Sequence, residues 1–189
     1  MNRLKLIALI LIMLLPSASP AQKIAVPVDI QVSLFFKILT FDRNLKARAS
    51  DEIVIGIVYQ SRFKTSLGVK ERFEQAINDL GINSIMNIPI RLEPIDIRMT
   101  DLRKTVSENG IEILYVTPLR AVEIPQIAEI CRNEKILSLT GVPEYCSSGL
   151  AVGIGQKGEK PLIIINLRSA QEAGVSFRSQ LLKLAKIVR

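Results

Sequence analysis

Apolar and polar positions follow two different periods along the chain, and each change of period marks a new element. Residues 52–59 contain a continuous apolar run, which is typical of a strand covered on both faces. Between Ser66 and Leu80 apolar residues recur three or four positions apart, which predicts a helix that Gly81 closes. Strand and helix patterns continue to alternate as far as Thr140. The order predicts an α/β fold with a mostly parallel sheet and helices on both faces.

The same periods predict the remaining elements of this first part of the chain. Pro94 interrupts one predicted strand, so we expect that strand near an edge of the sheet. Thr100 is expected to cap the helix that follows it. The predicted helices lie at 28–45, 101–108 and 124–133, and the predicted strands lie at 90–97, 111–116 and 136–140.

The last third of the chain has a different organisation. Apolar segments at 150–154 and 162–165 are joined by a short stretch rich in Gly and Lys, with no helix between them, which predicts a β-hairpin. Two C-terminal helices follow in the prediction. Asn166 caps a short one that ends at Gly174, and Ser176 caps a longer one that runs to the C-terminus.

The predicted hairpin contains a match to the dinucleotide-binding pattern G-x-G-x-x-G, at Gly153, Gly155 and Gly158. A functional match must leave a strand and open a helix, so that helical N–H groups meet the pyrophosphate. Here the glycines lead into another strand. The need for positive φ at a hairpin turn therefore explains them better than a cofactor does.

The first 21 residues have the pattern of a secretory signal peptide. Two basic residues precede an apolar run at 6–15, and small residues suited to a signal peptidase follow Pro16. The apolar run is shorter than the roughly 20 residues that a membrane-spanning helix needs. We expect a cleaved leader, export to the periplasm and a single domain at 22–189, with its core at about 28–189. An uncleaved N-terminal anchor is the alternative.

Composition restricts the chemistry that the chain can perform. The 189 residues include no His. Sites of the Ser-His-Asp and Cys-His types and His-ligated metals are therefore excluded. Pairs of acidic residues occur at helix-surface spacings or beside Pro94, and none has a neighbour in sequence that would tune its pKa. The sequence predicts no enzyme, no catalytic residue, no cofactor and no metal site.

The formal net charge of +7 favours anionic partners, such as lipid headgroups, wall polymers or an acidic protein face. The basic residues are scattered, and no basic run is interleaved with aromatic residues, which argues against nucleic acid. A solvated surface is the favoured interpretation of each basic cluster. The clusters include Arg62 with Lys64, and Arg98 with Arg103 and Lys104.

Cys131 and Cys146 are the two cysteines of the chain. In an oxidising compartment two cysteines usually pair, and a loop of about 15 residues closed in this way stabilises a fold by about 3 kcal/mol. The alternatives are a small buried residue at Cys131 and a free thiol at Cys146.

The C-terminal part resembles a known family. Residues 162–188 contain a strand that ends in Asn166, an Ala-containing short helix closed by Gly174, and the pattern Leu-Leu-x-Leu-Ala at 181–185. This order resembles the closing signature of the YfiR/HmsC-like family. The segments 136–150 and 36–41 resemble further parts of it. Two departures stand out: Leu150 replaces the second Gly of a pair, and Asp42-Arg43-Asn44 replaces the usual Trp-Pro.

The resemblance implies a periplasmic α/β domain without enzymatic activity. It implies a repressor that binds the periplasmic part of a membrane-bound diguanylate cyclase and reduces cyclic-di-GMP synthesis. Homodimers and disulfides are further features that the resemblance implies. No binding residue of the family can be matched to a position in this chain.

Two functional hypotheses follow. The first is a regulatory module that acts by protein contact, with Phe35, Phe36 and Phe41 as the candidate partner-binding patch. These aromatic residues also suit the core, which is the alternative interpretation. The second hypothesis is a small-ligand-binding module that resembles one lobe of a periplasmic solute receptor, with its ligand at the carboxyl ends of the strands.

Overall fold

The computed structural model describes residues 24–188, so the predicted signal peptide lies outside the described residues. The strands are β1 (Ile53–Tyr59), β2 (Ser84–Ile85), β3 (Ile88–Asp96), β4 (Ile111–Val116), β5 (Leu137–Thr140), β6 (Val152–Lys157), β7 (Lys160–Asn166) and β8 (Lys186–Val188). The helices are α1 (Val28–Leu39), α2 (Leu45–Arg48), α3 (Lys64–Asp79), α4 (Leu102–Glu108), α5 (Ile124–Asn133), α6 (Glu144–Ser147), α7 (Leu167–Glu172) and α8 (Ser179–Leu184).

The strands form one sheet in the order β2-β3-β1-β4-β5-β6-β7-β8. The strands from β3 to β6 in this order run parallel to one another, and β6 and β7 form the antiparallel hairpin. Beyond β3 lies only the two-residue β2, so the strand that contains Pro94 is close to an edge as predicted. The α/β fold class is confirmed.

The continuous apolar run of β1 is explained by burial on both faces. Ile53, Ile55 and Ile57 belong to a core that includes residues of α1 and α3. Val54 and Val58 point the other way, into a second core built with α4 and α5. A strand between two helical layers has no face that water contacts, so it has no position at which a polar residue is favoured.

The end of the first helix and the cap of α4 differ from prediction. The first helix ends at Leu39 instead of continuing to position 45, and the chain turns before the short α2. Asp101 rather than Thr100 caps α4, because the Asp101 carboxylate accepts a hydrogen bond from the backbone N–H of Lys104 at 3.3 Å.

Both predicted C-terminal helices are present, but the second is shorter than predicted. Helix α8 covers only Ser179–Leu184, and the chain becomes extended at Ala185 to form β8. Strand β8 pairs in parallel with β7, whose outer backbone groups would otherwise stay unpaired at the sheet edge. Phe177 and Leu181 are buried, whereas Leu184 is 72% exposed.

The glycine-rich segment is a hairpin turn. Gly158 adopts a φ of +59° between β6 and β7, and no helix follows it there. The structure therefore confirms the predicted hairpin.

Between residues 24 and 188, no helix combines the length and the apolar character that crossing a bilayer requires.

Candidate functional site

The order of the strands creates a crevice at one edge of the sheet. From β1 the chain passes through α3 to β3 on one side, and from β3 it returns through α4 to β4 on the other side of β1. The loops that follow β1 and β4 therefore lead away from each other. In open parallel sheets, ligands bind at such switch points, outside the carboxyl ends of the strands.

The structure has two adjoining hollows at this place, with volumes of about 150 Å³ and about 170 Å³. Both are lined by Arg62 and Arg98. We call the two hollows together the carboxyl-edge cleft. Its lining residues are Gln60, Ser61, Arg62, Phe63, Arg98, Met99, Arg120 and Ala121.

Gln60 fixes the distance between the two loops. Its side chain is buried, and its amide bonds the backbone of Arg120 twice. Nε2 donates to the Arg120 carbonyl at 3.0 Å, and Oε1 accepts from the Arg120 N–H at 2.8 Å. The loop after β4 is thus held against the end of β1.

A chain of buried hydroxyl groups lies beneath the cleft. Ser66 Oγ accepts from the Gln60 N–H at 2.9 Å and lies 2.6 Å from Thr117 Oγ1. Thr117 Oγ1 donates its single proton to the Val58 carbonyl at 2.9 Å, so Ser66 must be the donor to Thr117. The chain ties the first turn of α3 to the ends of β1 and β4.

Asp96, at the end of β3, orders the third loop of the cleft. Burial raises the pKa of its carboxyl group. Hydrogen bonds from Ser61 and from the Arg98 N–H, together with the charge of Arg98, outweigh that effect, so the net pKa lies below its usual value. The bond from the Arg98 N–H measures 3.1 Å. Asp96 therefore stays ionised at neutral pH and positions the loop that carries Arg98.

The cleft is strongly positive. Arg62, Arg98 and Arg120 are all exposed, and within the described residues no carboxylate lies within ion-pair distance of their guanidinium groups. The Arg120 guanidinium lies over the ring of Phe63, 4.7 Å from its centroid. This contact holds a flexible side chain in place at the rim.

The structure places the predicted partner-binding patch mostly in the core. Phe35 is fully buried and makes an edge-on contact with Tyr115, with ring centroids 5.8 Å apart. Phe36 is 9% exposed, and Phe41 is half-buried against the same core. The core alternative therefore describes Phe35 and Phe36, because the face of α1 that carries them packs against the sheet.

The predicted disulfide is not supported, since Cys131 and Cys146 are both buried free thiols in the structure. Each thiol fills its own packing site. Cys131 lies in the second core, which includes residues of α4 and α5, and it hydrogen-bonds Ser138. Cys146 packs closely on Gly153: a Cβ added to Gly153 would lie 2.6 Å from the sulfur of Cys146. Burial raises the pKa of both thiols to about 12.

From the sequence, Arg62 and Arg98 were assigned to a solvated surface, and Arg120 was not singled out. The signal that was missed is their position, since Arg62 and Arg120 each follow the end of a strand that borders the switch point. Among residues 24–188, no group of three or more His, Cys, Asp or Glu side chains is arranged to hold a metal ion. The side chains of the cleft that can meet an anion are its three arginines, whose guanidinium groups match the oxygens of carboxylate and phosphate.

The model of a family described as YfiR/HmsC-like matches residues 29–186 of the chain. The sequence has no significant match among curated proteins.

Three solved structures share the fold at low sequence identity. A conserved domain protein from Vibrio cholerae O1 biovar El Tor has a TM-score of 0.64 at 14% identity, over 86% of this chain and 60% of that one. An ABC domain in complex with L-Trp from Streptococcus pneumoniae has a TM-score of 0.58 at 15% identity, over 86% of this chain and 62% of that one. The ligand-free, open structure of CD0873 from Clostridium difficile, a substrate-binding protein with adhesive properties, has a TM-score of 0.52 at 16% identity, over 77% of this chain and 57% of that one. The chain thus spans about three fifths of the length of these proteins.

Proposed function

The chain belongs to the YfiR/HmsC-like family, and from this we propose that it is a periplasmic, non-enzymatic regulator of a membrane-bound diguanylate cyclase. It binds the periplasmic part of the cyclase and lowers cyclic-di-GMP synthesis. The observation that supports this proposal is the extent of the family match, which covers residues 29–186 and so nearly the whole of the described chain.

Regulation by contact needs a difference in affinity. The protein must bind the inactive conformation of the cyclase more tightly than the active one, and the ratio of the two affinities sets how far the population shifts. A coupling free energy of about 1 to 3 kcal/mol is typical, which corresponds to a roughly 5- to 150-fold ratio.

The C-terminal segment is the surface that we propose for this contact. It carries the resemblance to the family, and two of its large apolar residues are not used by the core. Leu184 is 72% exposed and Ile187 is 37% exposed. They take the place of Phe35 and Phe36, whose side chains already pack inside the protein.

The experiment compares two matched variants. Purified mature protein is titrated against the periplasmic domain of a diguanylate cyclase encoded in the same genome. Sedimentation measures whether the purified mature protein is a monomer or a homodimer. Leu184→Glu is expected to abolish binding while the protein stays folded. Leu80→Glu is the control, because Leu80 is 49% exposed at the end of α3. Equal binding by both variants and the native protein would refute the proposed surface, and no binding by the native protein would refute the regulatory function for that cyclase.

Export has its own test. The leader proposed at residues 1–21 predicts that protein recovered from the periplasm begins at Gln22. Intact-mass measurement decides this. Protein that is found in the cytosol and still begins at Met1 would contradict a periplasmic role.

A second candidate function is small-ligand binding in the carboxyl-edge cleft. The observation that favours it is the position of the cleft at the switch point between β1 and β4. Two of the solved structures with a similar fold are described as an ABC domain in complex with L-Trp and as a substrate-binding protein. This chain spans about three fifths of the length of each. Saturable thermal stabilisation by a small solute would support this function.

A further inference from the structure

We infer that the carboxyl-edge cleft binds an oxyanion group, either phosphate or carboxylate, of a small solute. The inference rests on the second candidate function, because it names the chemical class of ligand for that cleft.

Charge is the first argument. Three arginines, Arg62, Arg98 and Arg120, line the cleft. Other arginines of the fold are committed to carboxylates, such as Arg48 to Asp42 at 2.8 Å. The planar fork of a guanidinium matches the oxygens of phosphate and carboxylate, and charge-assisted bonds of this kind are the stronger ones.

The acidic side chain beside the cleft does not occupy the arginines that would bind an anion. Asp96, two positions before Arg98, is 9% exposed and accepts hydrogen bonds from Ser61 and from the Arg98 N–H. Its charge interacts with that of Arg98. Among the described residues, Arg62 and Arg120 have no carboxylate within ion-pair distance.

Preorganisation is the third argument. The backbone of Arg120 is held by both ends of the Gln60 amide, and its guanidinium rests on Phe63. Asp96 orders the loop that carries Arg98. A site that is ordered before the ligand arrives loses less conformational entropy on binding.

Helix α3 adds a fourth contribution. It is 16 residues long, its N-terminus carries no side-chain cap, and its N-cap residue Phe63 lines the cleft. The first backbone N–H groups of a helix have no intrahelical acceptor, and they favour a negative group. Together with the three arginines they supply both charge and directed donors to an oxyanion.

The experiment measures binding of inorganic phosphate and of citrate to the mature protein by calorimetry, with potassium chloride at matched ionic strength as the reference. Native protein is expected to bind at least one of the two anions saturably.

Arg62→Ala and Arg120→Ala are each expected to weaken binding by about tenfold or more. Arg178→Ala is the charge-matched control, since Arg178 is an exposed residue that bonds Phe41 through its backbone, away from the cleft. Amide shifts in NMR should be confined to residues 60–67, 96–99 and 117–121.

Each outcome has a defined meaning. Loss of binding in the cleft variants but not in Arg178→Ala supports the inference, and the stronger of the two anions identifies phosphate or carboxylate as the preferred group. Equal weakening in all three variants overturns it, and so does binding of chloride that is as tight as binding of phosphate and citrate. The same titration is run with phosphatidylglycerol vesicles and with glucose as a neutral solute, and binding only to the vesicles overturns the small-solute assignment. If neutral solutes bind in the cleft and the anions do not, the ligand-binding function stands and the anion class is wrong; if nothing binds there, both fail.

Discussion

Both hydrogen-bonding groups of the Gln60 side chain are bonded to the backbone of one residue, Arg120, which lies 60 positions further along the chain. The contact joins the loop after β1 to the loop after β4, which are the two loops that diverge at the switch point. Gln60 thereby sets the width of the carboxyl-edge cleft and the position of one of its arginines.

Replacing Gln60 with Ala should loosen the loop at 117–121 and lower the free energy of unfolding by about 1 to 3 kcal/mol, because two partly buried backbone groups of Arg120 lose their partners. Urea unfolding gives the stability, and hydrogen exchange of the Arg120 amide reports the loop. Gln60→Glu serves as the comparison, since it keeps the acceptor for the Arg120 N–H and removes the donor to the carbonyl. Unchanged exchange at Arg120 in Gln60→Ala would contradict the role of Gln60.

Gly141 and Gly68 form a second matched pair. A Cβ on Gly141 would collide with the amide of Gln31, which is fully buried and held by bonds to Val26 and Tyr115. Gly141→Ala should therefore destabilise the protein by about 1 to 3 kcal/mol. Gly68 lies within α3 with nothing near its missing side chain.

Gly68→Ala should stabilise the protein by up to about 1 kcal/mol, because Gly is a weak helix former. Thermal unfolding of both variants decides the matter. Similar melting temperatures for the two would show that the Gln31 side chain can move aside and that its hydrogen bonds do not fix it.

The part of the fold that the sequence predicted best is governed by local signals. Strand β4 and helix α5 have the predicted bounds, and Asn166 caps α7 by accepting from the Ser169 N–H at 3.1 Å. The error at β8 has a tertiary cause: residues with a helical apolar period become a strand because the edge of β7 is available to pair with them.

The cleft could not be predicted for the same reason. Its residues come from three loops, after β1, β3 and β4, and only the strand order brings those loops together. Seen one at a time in the sequence, Arg62, Arg98 and Arg120 have no periodic or motif signal that separates them from solvated basic residues.

Asp42 is the first of the three residues that replace the usual Trp-Pro of the family, and its carboxylate connects two segments of the chain. It is 1% exposed, and its oxygens accept from Arg48 at 2.8 Å and from the backbone N–H groups of Asn44 and Ser176 at 3.0 Å. The carboxylate thus joins the end of the first helix to the C-terminal segment.

Asp42→Ala should lower the free energy of unfolding by about 3 to 5 kcal/mol, since it leaves the largely buried Arg48 and two backbone donors without their acceptor. The control is Arg168→Ala. Arg168 also makes a close ion pair, 2.9 Å from Glu172, but its side chain is 78% exposed, so the change should stay within about 1 kcal/mol. Urea unfolding of both variants compares the pairs, and equal small losses would show that Asp42 is not a structural link.

The two buried thiols make the free energy of unfolding decrease as the pH rises in the alkaline range. Burial raises the pKa of Cys131 and Cys146 to about 12, whereas a thiol in the unfolded chain titrates near 8.5. Above that value the unfolded state loses protons that the folded state keeps, so stability is full below about pH 8.5 and falls as the pH rises towards 12. At pH 10 the loss should be about 2 kcal/mol per thiol. Urea unfolding at pH 8 and pH 10 measures it, and the Cys131→Ala/Cys146→Ala variant, which keeps every Lys and Tyr, should show a smaller difference between the two pH values. An equal difference in both proteins would contradict the prediction.

A thiol count tests the state of the two cysteines directly. Two reactive thiols in urea but none in the folded state would confirm free, buried thiols, whereas no reactive thiol in urea would show that Cys131 and Cys146 form a disulfide.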